Sequence, residues 1–309
     1  MPDVAIWNQC NNHCVMCTNS LSFQSEKESV PYAFKSIKQR WVRRAMGPED
    51  VISFSGGEPT IHPEFFEIIH WFRAEYPKRT IVVVSNGRMF SYLQFTRNIL
   101  KISNILFEVA LHGYDEKSHD SVTRAPGSFR QTVQGIHHIL RHKKASQELE
   151  IRIVVTKLTY KHLGKILSFV EKEFGAQKIR DIALIFIEME GQAQDNARVV
   201  GISYEKVKKY IESAVHDWSS SFRELRLLHF PLCTIPQILW PYAWRTLREE
   251  EVTFLSRCAS CLMKKYCLGI HKDYISIMGK GEFKPVRNMK KKIEKGISFY
   301  KPIKSISRG

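Results

Sequence analysis

Short apolar runs alternate with longer amphipathic stretches over roughly the first 190 residues of the chain. The apolar runs are rich in β-branched and aromatic residues, which is typical of strands that are buried on both faces of a parallel sheet. They read DVAIW, DVISFS, RTIVVVS, NILFEVALHG, LEIRIVVTK and KIRDIALIFIEM. The pattern therefore predicts six strands in this part of the chain.

The stretches between these runs have helical spacing and helix start signals. Pro63 is expected in the first turn of a helix, and Ser128 is expected at an N-cap. Alternating strands and helices indicate right-handed βαβ units, and six units are too few to close an eight-stranded barrel. We therefore expect an α/β fold, a partial (β/α)6 TIM-like barrel. The predicted helices are Tyr32–Met46, Pro63–Tyr76, Ser91–Leu100, Ser128–Lys143 and Lys161–Phe174.

The pattern changes near residue 195, where a domain boundary is expected. A helix near Tyr204–Trp218 and the strand-like run ELRLLHF then lead into a group of cysteines. We predict a core domain over residues 1–195, a smaller second domain over 196–285 and a basic tail over 286–309.

Composition and charge bound the class of protein. A hydrophobic content of 43% with 11% aromatic residues supports a packed globular core. No apolar run reaches the roughly 20 residues that span a bilayer, and the N-terminus lacks a signal pattern, so we expect a cytoplasmic protein without membrane contact. Residues 264–309 hold 13 Lys or Arg against three acids, which supplies +10 of the net +16. This basic C-terminal stretch, which includes the tail at 286–309, is either a solvated surface or a binding site for an acidic partner such as RNA or an acidic peptide.

The seven cysteines fall into two groups that are separated by more than 200 residues. Grouped cysteines in a reducing compartment are typical of metal ligands rather than of disulfides. The groups are Cys10, Cys14 and Cys17 near one end, and Cys233, Cys258, Cys261 and Cys267 near the other.

The first group lies in the loop expected after the first strand, at the carboxyl edge of the sheet, where α/β proteins place their chemistry. Three cysteines could form an incomplete zinc site that His13 completes. They could equally hold three irons of a four-iron cluster and leave the fourth iron open to an outside ligand. The spacing alone leaves both interpretations open.

The segment Gly56-Gly57-Glu58-Pro59 follows the second predicted strand, at the same edge as the cysteines. CxxxCxxC followed by GGEP resembles the motifs of the radical S-adenosylmethionine (radical SAM) enzymes, over roughly residues 4–190. The resemblance implies that the three thiolates hold a [4Fe-4S] cluster and that S-adenosylmethionine (SAM) chelates the open iron. The missing fourth ligand is then the cofactor itself.

The resemblance also implies a set of SAM-binding residues. The GGEP segment matches the one that receives the methionine amino group, and Met16 stands where the family often has an aromatic residue near the adenine. Ser85 and Asn86 end the third strand, and Arg124 resembles an arginine that pairs with the SAM carboxylate. The full set is Met16, Gly56, Gly57, Glu58, Pro59, Ser85, Asn86 and Arg124.

The fourth predicted strand departs from the family pattern. Ala110 and His112 replace a serine and an aspartate that are common there, which leaves ribose binding unassigned. His112 is the candidate catalytic residue, as a SAM contact or a proton donor, and its alternative role is to join neighbouring loops. Glu188 and Glu190, near the end of the sixth strand, either face the active site or are structural.

The second cysteine group reads RCASCLMKKYC after PLC, which is not a zinc-ribbon pattern. It resembles the SPASM and Twitch extensions that follow radical SAM barrels, and four cysteines suffice for one auxiliary [4Fe-4S] cluster with every iron held by the protein. We therefore expect a smaller C-terminal Twitch-like cluster-binding domain, and two [4Fe-4S] clusters in all. The aromatic residues Trp240, Tyr242 and Trp244 either cover this cluster or line a substrate pocket.

Taken together, the resemblance implies an enzyme that cleaves SAM reductively to a 5′-deoxyadenosyl radical, which abstracts hydrogen from its substrate. A peptide or protein is the expected substrate, and a small molecule or RNA is the alternative. A reducing donor such as a flavodoxin or a ferredoxin is expected. Since the first strand begins near residue 4, we expect no N-terminal peptide-recognition domain. The non-enzyme alternatives are a two-cluster electron carrier and a zinc-binding interaction module.

Overall fold

The computed structural model describes residues 3–25, 32–43, 51–247, 249–289, 292–293 and 305–306. Its main element is one sheet of eight parallel strands in the order β1 to β8, which is open in the described part of the chain. The strands are β1 Asp3–Trp7, β2 Val51–Gly56, β3 Thr80–Ser85, β4 Ile105–Ala110, β5 Gln147–Val155, β6 Asp181–Phe186, β7 Leu225–Leu228 and β8 Ala243–Trp244.

Helices connect the strands, and short two-stranded ladders follow the sheet. The helices are α1 Leu21–Ser25, α2 Phe34–Arg43, α3 Phe65–Glu75, α4 Leu93–Ile99, α5 Glu116–Thr123, α6 Ser128–His142, α7 Leu163–Phe174, α8 Gly191–Asp195, α9 Ala197–Val200, α10 Tyr204–Trp218 and α11 Lys272–Met278. The antiparallel ladders pair β9 Val252–Thr253 with β10 Ile270–His271, and β11 Lys292–Ile293 with β12 Ser305–Ile306.

The predicted α/β class and partial TIM-like barrel are confirmed, but the sheet has eight strands where six were predicted. The two added strands lie beyond residue 195, so the sheet continues into the region assigned to the second domain. The first of them, β7, lies in the strand-like run ELRLLHF, which the sequence did not assign to the barrel sheet. The second, β8, has only two residues, too few for a strand pattern. The end of the helix predicted at Tyr32–Met46, and most of the predicted basic tail, lie outside the described residues.

Four of the five predicted helices between the strands begin two residues later than expected, and the N-cap of the fifth was misassigned. The helix expected from Pro63 begins at Phe65. Ser128 is the first residue of α6, and the N-cap is Gly127, which has a left-handed φ of 79°. The Asp120 carboxylate, which comes from α5, accepts hydrogen bonds from the Gly127 and Phe129 N–H groups at 2.6 and 2.8 Å and thereby caps α6.

Residues on both sides of the predicted boundary at 195 share one core. The ring of Tyr204 in α10 stacks on that of Phe186 in β6, with the ring centroids 3.7 Å apart. Tyr274 of α11 and Phe283 pack against Tyr204 with ring centroids 4.9 and 5.6 Å away. The C-terminal segment is therefore held against the carboxyl half of the sheet. In the part of the chain that the structure describes, every helix is too short or too polar to cross a bilayer.

Candidate functional site

The loop that carries the first three cysteines follows β1 and is placed by two glycines after β2. The Gly57 N–H donates to the Trp7 carbonyl and the Glu58 N–H to the Gln9 carbonyl, both at 2.8 Å. A Cβ on Gly56 would lie 2.1 Å from the Trp7 oxygen, and one on Gly57 would lie 2.2 Å from the Gln9 oxygen. Only glycine permits this approach, which brings the GGEP segment against the chain next to Cys10.

Glu58 of the same segment is buried and acts as an internal brace. Its carboxylate accepts from the Asn86 N–H at 2.7 Å, the Ser85 hydroxyl at 2.8 Å and the Thr60 N–H at 3.1 Å. Burial raises the pKa of this carboxyl group, and the surrounding donors oppose that rise. Glu58 and the Ser85 hydroxyl are thus engaged with each other at the ends of β2 and β3.

Asn86 and Arg88 extend this brace to the cysteine loop. The Asn86 amide donates to Asn11 Oδ1 at 2.6 Å and lies 3.9 Å from the sulfur of Cys10. Arg88 donates to the backbone carbonyl of Asn11 and, at 2.9 Å, to Asn12 Oδ1. The sequence prediction missed the role of Arg88, for which a lone arginine after a strand end gives no specific signal.

The remainder of the cysteine loop lies between α5 and α8. The N–H groups of His13 and Val15 donate to carbonyls at the end of α5 at 2.8 and 2.9 Å. On the other side, the Ala193 N–H donates to the Cys17 carbonyl at 3.1 Å. Gly191, whose φ is 53°, packs so closely that its Cβ would lie 2.2 Å from the Thr18 oxygen. Protein contacts on both sides therefore hold the loop in place.

The three thiols have the chemistry expected of cluster ligands. Burial, together with the nearby charge of Glu58, raises the pKa of Cys10 to about 12. Burial also raises the pKa of Cys14 and of Cys17. Such thiols stay protonated in water at neutral pH and become thiolates when a metal supplies positive charge. The Asn12 N–H points at the Cys10 sulfur at 3.3 Å, as donors to cluster sulfurs do. This donor set fits a cluster held by three thiolates.

The other predicted SAM contacts surround this loop unevenly. Met16 is buried among core residues and Pro59 begins a short 3-10 turn, while Arg124 is exposed in a left-handed conformation at the end of α5. The Arg124 guanidinium lies 3.5 Å from Asn196 Oδ1, next to the helix that contacts the cysteine loop. His13, the alternative zinc ligand, is an exposed residue in the same loop.

His112 follows β4 and is buried beside His119. Its Nδ1 accepts from the Val154 N–H at 3.4 Å, and the two imidazole rings stack with centroids 5.9 Å apart. Burial and the charge of His119 lower the pKa of His112 to about 3. The ring is therefore neutral at neutral pH and can donate only through its Nε2–H, not as an imidazolium.

A row of carboxylates crosses the inner face of the sheet. Glu108, Glu150 and Asp181 are direct neighbours on β4, β5 and β6. Arg152 bridges Glu108 and Glu150 at 2.7 and 3.3 Å. Arg226 of β7 contacts Glu150 at 3.3 Å and Asp181 at 2.8 Å. The interior therefore holds more acids than bases, an arrangement that the sequence did not predict.

The second cysteine group converges on one small cavity, which is lined by Cys233, Cys258, Cys261 and Cys267. Burial and the other three cysteines raise the pKa of Cys233 to about 12, and burial raises that of Cys267. The N–H groups of Val286 and Gly269 lie 3.3 and 3.5 Å from the sulfurs of Cys261 and Cys267. Four converging thiols with N–H donors fit a cluster held by four thiolates.

The aromatic residues between these cysteines are placed beside the barrel. Trp240 is buried and donates from Nε1 to the Leu232 carbonyl at 2.9 Å, next to Cys233. Trp244 in β8 packs on the Arg226 guanidinium, 4.1 Å from the ring centroid. Phe254, Met263 and Phe283 are among the described residues that line the cysteine cavity. Trp240, Tyr242 and Trp244 are not.

The structure is thus an α/β barrel with three cysteines grouped in the loop after its first strand, at the carboxyl edge of the sheet. The family model of the radical SAM superfamily matches residues 4–170, more than half of the chain. The chain therefore belongs to the radical SAM superfamily, an assignment that implies SAM and one [4Fe-4S] cluster and confirms the resemblance seen in the sequence.

Two curated relatives match part of the chain. A probable GTP 3′,8-cyclase of Methanocella arvoryzae is 30% identical over 134 residues, which are 43% of this chain and 41% of that protein. An AdoMet-dependent heme synthase of Methanosarcina barkeri is 24% identical over 201 residues, 64% of this chain and 53% of that protein. The chain spans about half the length of these relatives.

Solved structures share the fold. The crystal structure of Streptococcus suis SuiB bound to its precursor peptide SuiA matches 73% of this chain and 48% of SuiB, with a TM-score of 0.54 and 12% identity. Native anSMEcpe with bound AdoMet and Kp18Cys peptide matches 73% of this chain and 63% of its own, with a TM-score of 0.54 and 16% identity.

Proposed function

We propose that this radical SAM enzyme abstracts hydrogen from a side chain of a peptide or protein and uses a second, auxiliary [4Fe-4S] cluster in the reaction. The observation that carries the proposal is the pair of cysteine sites, three thiols at the carboxyl edge of the sheet and four thiols around one cavity. The solved structures with this fold include two with bound peptides, which supports a peptide substrate.

The chain's own residues have separate tasks in this proposal. Cys10, Cys14 and Cys17 hold the first cluster, and the GGEP segment with Asn86 positions SAM beside it. When bound, the cluster and SAM together supply a 5′-deoxyadenosyl radical that removes a hydrogen atom from an unreactive carbon. The hydrogen bonds that hold these loops would keep the reacting groups aligned and limit the access of water.

The second cluster is proposed to lie in a SPASM/Twitch-like region within residues 196–285. Because four thiolates would hold it, it has no open iron for substrate, and electron transfer suits it best. It would accept the electron that the substrate radical loses, which suits an oxidation or the formation of a new bond. A flavodoxin or ferredoxin is proposed as the reductant of the first cluster. Residues 286–309 are proposed to form a separate basic tail.

Iron analysis tests the two-cluster arrangement. Anaerobically reconstituted wild-type protein is expected to hold about eight irons, because each [4Fe-4S] cluster has four. Cys258→Ala with Cys261→Ala is expected to retain about four, as is Cys10→Ala with Cys14→Ala. Ser260→Ala, at an exposed neighbour of the second cysteine group, is the matched control and should retain about eight. Four irons in the wild type, and the same number in the variant that lacks Cys258 and Cys261, would contradict a second cluster.

A small-molecule substrate is the second candidate, because the curated relatives are named as a GTP 3′,8-cyclase and a heme synthase. RNA is a weaker alternative that rests on the charge of the tail. Transfer of deuterium separates these classes. The reduced enzyme with SAM is incubated with a pool of peptides deuterated at carbon, or in parallel with deuterated GTP, porphyrins or RNA. Deuterium in 5′-deoxyadenosine is expected with the peptides, and labelling only by another pool would assign the substrate to that class.

A further inference from the structure

Four titratable side chains, none of which belongs to either cysteine group, meet at the carboxyl edge of β6 and β7. Glu188 and Glu190 follow β6, and His229 follows β7. His271 comes from β10, more than 40 residues further along the chain. The site therefore joins the barrel sheet to the C-terminal segment. Glu190 also directly precedes Gly191, which packs on the loop of the first cysteine group.

Three of these side chains are close enough to share one ion. Ligand atoms of Glu188, Glu190 and His271 all lie within 4.8 Å of one another. His271 Nε2 is 3.0 Å from Glu190 Oε1. Two ligands bound at right angles about 2.1 Å from a metal are separated by about 3.0 Å, so this pair already has the spacing of adjacent ligands.

The imidazole of His271 is buried and faces the acids. The residue is 4% exposed, and its Nε2 forms an ion pair with Glu190 Oε1 at 3.0 Å. Its Nδ1 makes no hydrogen bond within the described part of the chain. A buried ring nitrogen without a partner needs an explanation, and a cation bound beside the two acids is one.

His229 contacts Glu188, the other acid of this group. Its Nδ1 lies 3.0 Å from Glu188 Oε1, where it orients the carboxylate. The residue has a φ of 67°, and Tyr204 donates from its hydroxyl to the His229 carbonyl at 3.0 Å.

We propose that Glu188, Glu190 and His271 bind one divalent transition-metal ion, separate from the iron–sulfur clusters. One imidazole nitrogen and two carboxylates suit Mn²⁺, Fe²⁺ or Zn²⁺. Both acids are partly exposed, with 24% and 40% of their side chains accessible, so further positions on the metal are open to water or to a substrate oxygen. The ion would also tie the C-terminal segment to the barrel. The proposal does not depend on the identity of the substrate.

Titration with Mn²⁺ tests the site directly. The reconstituted holoprotein, oxidised so that its clusters are diamagnetic and with no SAM added, is titrated while the signal of free Mn²⁺ is followed by electron paramagnetic resonance. One Mn²⁺ per chain is expected, with affinity at least tenfold lower in Glu188→Gln and in Glu190→Gln. Glu212→Gln, at an exposed acid of α10, is the matched control and should bind as the wild type does. Equal binding by all variants, or no stoichiometric binding by the wild type, would overturn the proposal.

A second readout needs no variant. Electron spin-echo spectroscopy of Mn²⁺ bound to the wild type is expected to show coupling to one imidazole ¹⁴N, from His271. Bound Mn²⁺ without nitrogen coupling would also overturn the site. Because neither readout involves SAM cleavage, failure of the metal site leaves the proposed radical chemistry to be judged on its own test.

Discussion

The carboxylate of Glu58 accepts a hydrogen bond from the backbone N–H of Asn86 at 2.7 Å and so joins the loops that follow β2 and β3. Asn86 in turn donates from its amide to Asn11, one residue after Cys10. The motif acid is thus part of a chain of hydrogen bonds that fixes the cysteine loop. Glu58 therefore has a structural role, because it helps to hold the cysteine loop in position.

Glu58→Gln should destabilise the protein because one accepting oxygen becomes an amide donor that faces the Asn86 N–H. The loss of one buried hydrogen bond to a charged group costs about 1–3 kcal/mol in the free energy of unfolding. Urea denaturation measured against Glu67→Gln, at an exposed acid of α3, tests this expectation. Equal stability of the two variants would contradict the role of Glu58 as a brace.

Gly57→Ala should remove the first cluster selectively. The added Cβ would lie 2.2 Å from the Gln9 oxygen and would push the cysteine loop out of place. We expect the loss of about four irons and retention of the four at the second cysteine group. Gly164→Ala in α7, where a Cβ meets nothing within 4 Å, is the control and should keep all the iron. Full iron in Gly57→Ala would show that the close approach is not required.

Arg226→Met should be strongly destabilising, because it removes the buried guanidinium that lies 2.8 Å from the Asp181 carboxylate and leaves that buried acid with only the partly exposed Arg180. Breaking a buried ion pair by removing one partner costs about 3–5 kcal/mol. The control is Arg223→Met, whose half-exposed guanidinium lies 3.4 Å from Glu148, and it should cost less than about 1 kcal/mol. Similar unfolding midpoints for the two variants would argue against a buried network.

Glu150 should make the protein less stable as the pH rises. Burial and the charge of Glu108 raise the pKa of Glu150 to about 8, whereas the unfolded value is about 4.3. The folded state therefore binds the extra proton, and its contribution to stability is present below about pH 4 and is lost as the pH rises towards 8. The slope approaches about 1.4 kcal/mol per pH unit within this window. Glu150→Gln should flatten it, and an unchanged slope in that variant would contradict the shift.

The sequence was most informative where the chemistry is local. Three closely spaced cysteines and a Gly-Gly pair are short-range signals, so the sequence could place both at one edge of the sheet. It did not predict that the glycines approach the backbone of Trp7 and Gln9. The alternation of apolar runs likewise predicted the barrel class. Strand β4 is buried at five of its six positions, and the nine-residue β5 is buried at six of its nine, so both have clear apolar runs.

The features that the sequence could not predict depend on contacts between distant positions. The strand-like run ELRLLHF was visible in the sequence, but its pairing with β6, and the two-residue strand β8 that pairs with β7, were not. The carboxylate row needs the register of three strands. Glu190 and His271 are more than 80 residues apart in the chain but 3.0 Å apart in space. No periodicity in the sequence encodes such a pair.

The central claim is radical chemistry at the loop of Cys10, Cys14 and Cys17. The most direct test is anaerobic incubation of the reconstituted, dithionite-reduced protein with SAM and the peptide pool, with 5′-deoxyadenosine measured by mass spectrometry. We predict 5′-deoxyadenosine from the wild type and none from Cys14→Ala, which retains the second cysteine group. Equal amounts of 5′-deoxyadenosine from both proteins would contradict the account. So would its absence with every substrate pool from a wild type that holds its iron and binds SAM.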